Sequence, residues 1–325
     1  VYKETAVALW KVPGDDQKHL VVDTRESIPP SKVDLEEVTG GFLVAPFHNP
    51  ERSREVLIKS DLYFSTERNK ITLAESLSTK GHDNLLDQFL EELKNGAQKP
   101  EFYFNSHTQN STTRNDYQHI VEKALERIQS SEFQKVVPAA IRQLSLQEDF
   151  SCLDTFDKLC DSYPAAFVSL VSTPEIGTWM GASPEIIIEV KGSKYFTTVA
   201  VAGTQAYHPG TSLQEVAWRQ KEIEEQALVS RYIINCFKKI RLREFEEVGP
   251  KTVVAGNLLH LKTTYSVDME ETQFPLLGSV MLDLLHPTSA VCGMPKAPAA
   301  AFVNQGEALV RALFRGFVGP VKVLC

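Results

Sequence analysis

Residues 181 to 229 constrain this chain more than any other stretch. Two strand-like runs, Ile186 to Val190 and Tyr195 to Val201, precede a long charged helix expected from about Leu213 to Glu247. A strand–strand–helix order of this kind brings three polar clusters to the ends of regular elements. They are Gly181-Ala182-Ser183-Pro184-Glu185, Ala202-Gly203-Thr204 and Lys221-Glu222-Ile223-Glu224-Glu225. Glu185 stands between the Ser183-Pro184 turn and the apolar run Ile186-Ile187-Ile188. A carboxyl so placed is partly desolvated and keeps its proton more readily than one in water, which suits a general acid. On residue type alone, a solvent-facing glutamate at a strand entry is the commoner case.

Composition narrows the partners. A net charge of −8 over 325 residues argues against nucleic acid or an anionic membrane surface as the main partner. An anionic ligand would have to find local cations or a metal. Five cysteines, Cys152, Cys160, Cys236, Cys292 and Cys325, show no close paired spacing, as expected of reduced thiols in a cytoplasmic protein rather than of a disulfide frame. No apolar run approaches the length of a membrane span. A single-domain monomer is expected.

Residues 5 to 70 alternate short strand-like runs with turns (Thr5 to Trp10, His19 to Val22, Gly41 to Pro46, Val56 to Ile58, Tyr63 to Ser65), the pattern of an antiparallel sheet. Leu85 to Lys94 reads as a short helix, and the polar stretch from Phe102 to Asn115 marks the boundary of a front section, residues 1–110. Asp116 is placed to cap a helix through Ile120, Ala124 and Ile128. Lys135 opens a strand through Ile141, and its ammonium could lose a proton if desolvated or could simply snorkel. A helix from Ser151 and a strand over Ala165 to Ser172 follow. On the long helix, Glu222 and Glu225 share a face. Two such carboxylates are ordinarily a solvated face, yet they are also what a hard divalent cation takes. His260 lies in a strand-and-turn region. Helices are expected over Leu276 to Leu285, Pro295 to Phe302 and Glu307 to Phe314, with a last strand at Phe317 to Val321.

Taken in order, Gly181-Ala-Ser-Pro-Glu185, Ala202-Gly-Thr204, Lys221-Glu-Ile-Glu-Glu225, His286-Pro-Thr-Ser-Ala-Val-Cys-Gly293 and Arg315-Gly-Phe-Val-Gly-Pro-Val321 resemble the words of the chorismate-binding enzymes. The resemblance covers about residues 115 to 321. It implies an α+β fold with a large, mostly antiparallel sheet core flanked by helices. Among the family's branches the chain is most similar to the isochorismate synthases. Lys135 falls on the lysine that the water-using members carry before paired valines, where it serves as the base; Glu185 falls on the acid. Glu225 matches a magnesium ligand with Glu222 close by, although Gln226 stands where the family usually has histidine. Ala202, Gly203, Thr204 and His260 fall on the wall of the chorismate pocket, and the loop from His286 to Gly293 also lines it. Ala202 takes the place of the nucleophilic lysine of aminodeoxychorismate synthases, which argues against that branch. The implied reaction is magnesium-dependent conversion of chorismate to isochorismate, feeding menaquinone or siderophore synthesis. Salicylate synthase and a non-catalytic chorismate binder are the alternatives. Family members continue past this last strand through an Ile-Arg word, a Gly-Ala-Gly-Ile turn and a helix with a second metal ligand; none is present here, so the site is expected to be incomplete.

Overall fold

The structure is a computed structural model that describes residues 5–66, 70–73, 91, 102–103, 110–208, 210, 212–255, 258–307 and 309–323. Every sheet pairing in it is antiparallel. The front section forms hairpin-like strands where expected, β1 (Ala6–Lys11), β2 (Lys18–Asp23), β3 (Gly41–Ala45), β4 (Val56–Lys59) and β5 (Leu62–Ser65), and adds an unexpected strand, β6 (Lys70–Leu73). The helix expected over Leu85 to Lys94 and most of the polar stretch after Phe102 lie outside the described residues.

Beyond residue 110 come α1 (Arg114–Gln129), β7 (Lys135–Val136), α2 (Cys152–Ser162), β8 (Phe167–Thr173), β9 (Gly177–Ser183), β10 (Glu189–Lys191) and β11 (Tyr195–Ala206). Then follow α3 (Gln220–Lys239), β12 (Glu246–Ala255), β13 (Leu258–Asp268), α4 (Leu277–Leu285), β14 (Gly293–Met294), α5 (Lys296–Gly306) and β15 (Phe317–Val321). The strands build a six-stranded sheet, β6-β5-β2-β1-β8-β9, a four-stranded sheet, β10-β11-β13-β12, a three-stranded sheet, β15-β3-β4, and the pair β14-β7. This is the expected α+β class. The front section is stitched into the rest by the register Val7↔Ser172 to Lys11↔Val168 and by Phe317↔Ala45 to Val321↔Gly41.

The largest apolar cluster lies where α3 and α4 cover β11 and β13, with Phe196, Ala200, Ile233, Phe237, Tyr265 and Met281 at its centre. A second cluster, around Trp10, Phe42 and Ile58, joins the six- and three-stranded sheets. The thiols of Cys152, Cys160, Cys236 and Cys292 are buried and free.

Several boundaries differ from the sequence expectation. Ile186 to Ile188 is a connection rather than a strand: Ile187 and Ile188 pack on the main cluster, and the Ile187 carbonyl accepts the Thr198 hydroxyl at 2.6 Å, so tertiary burial replaces strand pairing. Thr113, not Asp116, caps α1. The Thr113 hydroxyl accepts the Asp116 N–H at 3.1 Å while the Asp116 carboxylate accepts the Thr113 N–H, a reciprocal box with the acid in its third position. The strand at Lys135 pairs for only two residues, since Pro138 has no N–H to offer a ladder. The long helix runs from Gln220 to Lys239 only; Arg241 turns left-handed (φ 60°) and the chain enters β12. The described residues among 307 to 314 form no helix; Glu307 and Arg311 hold neighbouring segments instead.

Candidate active site

The groups singled out in the sequence arrive from several elements. Lys135 is carried by β7, whose ladder to β14 pairs Met294 with Lys135 and Gly293 with Val136. Its Nζ donates to Glu225 Oε1 at 3.0 Å, a contact between side chains that retain 15% and 35% of their exposure. The pair joins β7 to the second turn of α3, across 90 residues of chain.

Behind Lys135 the backbone is fixed by a second, fully buried pair. Arg311 and Glu307 meet Nη2 to Oε1 at 2.5 Å and Nε to Oε2 at 2.7 Å, with 3% and 1% of their side chains exposed. Arg311 also donates to the carbonyls of Val137 (2.7 Å) and Val291 (3.1 Å), and Glu307 accepts the Ala139 N–H at 2.7 Å. The strand that presents Lys135 and the loop before β14 are thereby locked to one ion pair.

Glu185 follows β9 directly, its N–H donating to the Ser183 hydroxyl at 3.3 Å. It is half-buried and walls a cavity of about 30 Å³, room for a water. Val201, Val229, Tyr232, Thr288 and Ala290 supply other walls, so the loop from His286 to Gly293 reaches this cavity. Burial pushes the Glu185 carboxyl above the ordinary carboxylate range, against the opposing pull of Arg315, Lys135 and His260 in that order. Among the described residues none of these three pairs with it within 4 Å. An acid therefore sits inside an open ring of basic groups.

The strand β11 kinks at a bulge between Ala202 and Thr204, where Gly203 has φ 72°. A Cβ there would stand 3.1 Å from the Glu222 Cβ and 3.3 Å from the Glu222 carbonyl oxygen, so both the backbone angle and the approach of α3 ask for glycine. Past the bulge Thr204 lies opposite His260 of β13. The His260 Nδ1 is 2.9 Å from the Gly203 carbonyl and 3.3 Å from the Thr204 hydroxyl. A carbonyl only accepts, so Nδ1 carries the hydrogen of that bond. Gly203, Thr204 and His260 thus come together as expected, whereas Ala202 turns inward and is buried in the main cluster.

Glu222 and Glu225 part company on α3. Glu222 is buried, with Oε2 accepting the Arg219 N–H at 3.1 Å at the helix start. Glu225 remains open beside Lys135. No group of three or more His, Cys, Asp or Glu side chains gathers as a metal cluster among the described residues. One open carboxylate still suits magnesium, which commonly takes one or two and fills the remainder from water and ligand. Gln226 faces the core, its Nε2 donating to the Ala200 carbonyl and the Thr263 hydroxyl at 3.1 and 3.0 Å, so here it ties the sheet to the helix.

Arg315, the strongest charge acting on Glu185, was not singled out from the sequence. It belongs to the last strand word, where no spacing distinguishes it from any surface arginine. Only the closure of β15 onto β3 brings it to the ring.

Fold and site together define a class: an α+β chain of antiparallel sheets that gathers an acid, a lysine, a histidine and an arginine at the ends of its strands. A family model described as chorismate binding enzyme matches residues 40–323, and the chain belongs to that family. The chain is 23% identical over 208 residues to isochorismate synthase EntC of Escherichia coli, covering 62% of this chain and 52% of that protein. It is 25% identical over 215 residues to isochorismate synthase DhbC of Bacillus subtilis, covering 63% and 53%. The chain spans about half the length of the curated relatives it matches. Among solved structures, MenF, the menaquinone-specific isochorismate synthase of Escherichia coli, superposes with a TM-score of 0.71 at 16% identity over 97% of this chain and 76% of that one. Anthranilate synthase component I of Streptococcus pneumoniae gives 0.67 at 16% identity over 98% and 81%. These two likenesses show the fold.

Proposed function

We propose that the chain is the catalytic portion of an isochorismate synthase, converting chorismate to isochorismate with magnesium. The observation that carries this reading is Glu185: a half-buried carboxyl whose hold on its proton burial strengthens, near Lys135, His260 and Arg315 without pairing to any of them. A carboxyl that holds its proton more tightly than in water, with a lysine near it, is what a paired addition and departure of water requires. Lys135 would serve as the base that removes a proton from a water whose oxygen forms the new bond at C2. Glu185 gives its proton to the 4-hydroxyl as the C4–O bond breaks and a second water leaves, so the sum is an isomerisation. His260 and the Gly203-Thr204 bulge form the neighbouring wall.

Glu225 would hold magnesium, which when bound supplies charge to offset a carboxylate of the dianion. Glu222 backs it as the cap of α3. Ala202, buried with its methyl in the core, leaves no nucleophile at the position where aminodeoxychorismate synthases need one. The named relatives that are isochorismate synthases favour this branch over the others.

Chromatography of products from chorismate, with and without magnesium, tests the reading. Isochorismate is expected only with magnesium, and Lys135→Ala and Glu185→Gln are each expected to lower kcat by about 10²–10⁴. Salicylate with pyruvate would assign the chain to salicylate synthases, and binding without turnover would make it a chorismate-binding protein. Because the Glu185 carboxyl is raised, the proton it donates is present at low pH and lost as pH rises through its shifted range. The alkaline limb of the kcat profile should therefore disappear in Glu185→Gln.

A further inference from the structure

The ring around Glu185 holds one guanidinium with donors to spare. Arg315 stands at the entry to β15 in a left-handed backbone conformation (φ 62°) and is half-buried. Its hydrogen bond to the protein is a long one, Nη1 to the Val291 carbonyl at 3.3 Å. Neighbouring Arg311 shows the contrast, with Nε, Nη1 and Nη2 all bound to carboxylate or carbonyl oxygens. The Nε and Nη2 of Arg315 meet no acceptor among the described residues, and neither is sealed from solvent. Burial without a carboxylate in contact also makes the charge of Arg315 harder to hold, a cost that an incoming anion would offset.

Position adds to this. Val291, which anchors Arg315, follows Ala290 in the loop that walls the Glu185 cavity. Lys135, the other cation of the ring, is already engaged by Glu225. In a chain of net charge −8 an acidic small molecule needs a local cation whose donors are unspent.

We infer that Arg315 is the anion-holding residue of this site, gripping a carboxylate of an acidic small molecule through two parallel N–H···O bonds beside Glu185. The planar fork of a guanidinium matches a carboxylate in a way that a lysine does not. Taking chorismate as the acid rests on the function proposed above; the anion grip itself does not.

Steady-state kinetics with chorismate and magnesium, run on the wild type, Arg315→Gln and Arg315→Lys, tests the role. Arg315→Gln is expected to raise KM about thirtyfold with kcat within about threefold, the signature of lost uniform binding. Arg315→Lys is expected to recover only part of it. An unchanged KM, or a loss confined to kcat, overturns the assignment. A second measurement separates the grip from the reaction: calorimetric binding of 3-hydroxybenzoate against its neutral isostere 3-hydroxybenzamide. The wild type is expected to prefer the carboxylate by at least about tenfold and Arg315→Gln to lose that preference. If the wild type prefers the carboxylate but does not turn over chorismate, the reaction is wrong and the anion site stands. No preference in the wild type, or one that survives in Arg315→Gln, removes the anion site. Arg315→Asn, favoured by the left-handed backbone, serves if the glutamine variant does not fold.

Discussion

Two ion pairs lie on either side of the strand that presents Lys135, and they are built for opposite purposes. Behind it, Arg311 and Glu307 are buried to within a few per cent, and their remaining donors and acceptors are spent on Val137, Ala139 and Val291. In front of it, Lys135 and Glu225 share a single 3.0 Å contact and stay partly open. A buried pair with every valence used can do nothing but hold. A half-open pair with oxygens to spare can bind, exchange partners and take part in chemistry. Proximity of opposite charges is common to both, so solvent access and unspent valence are what separate a fastener from a site.

The largest effect should come from breaking the fastener. Arg311→Met leaves Glu307 charged and buried, and a loss of about 3–5 kcal/mol in denaturant unfolding is expected. Adding Glu307→Gln should restore part of it, whereas a loss below about 1 kcal/mol would erase the distinction between the two pairs.

A second test uses acid on the sealed side. His286, buried on the loop that Arg311 clamps, places Nε2 3.1 Å from the Pro46 carbonyl, and desolvation lowers its pKa to about 4. The unfolded chain then binds the proton first, so stability should fall as pH drops from about 6.5 towards 4, by on the order of 3 kcal/mol. Melts of wild type and His286→Gln across that window check the sign; equal slopes would show that the loop is open to water after all.

The smallest effect belongs to the open pair. Glu225→Gln should change stability by no more than about 1 kcal/mol, since the contact is partly solvated. The same variant should weaken magnesium binding by titration calorimetry. A large stability loss with magnesium binding intact would place Glu225 with the fasteners.

Much of this was legible in the chain. Short strand-like runs separated by turns in residues 5 to 65 marked β1 to β5 to within two residues, and the family words implied the α+β class. The partial burial of Glu185 was hinted at by its three isoleucine neighbours, although of these Ile187 and Ile188 pack in a connection rather than a strand. What the pattern could not separate was Glu222 from Glu225. Both lie on one helical face, yet the first is buried as a cap and the second stays open, a difference set by how Gly203 lets β11 press against α3.

The order of residues by itself determined which groups this protein could use, because a carboxyl beside an apolar run, a lysine at a strand start and a glycine that allows close backbone approach are set by local neighbours. Only the tertiary structure decided which of them meet. Lys135 reaches Glu225 across 90 residues, and Arg315 joins Glu185 only once β15 has closed on β3. Charges so far apart in sequence carry no local signal of their encounter, since what brings them together is the packing of sheets, which depends on the whole chain at once.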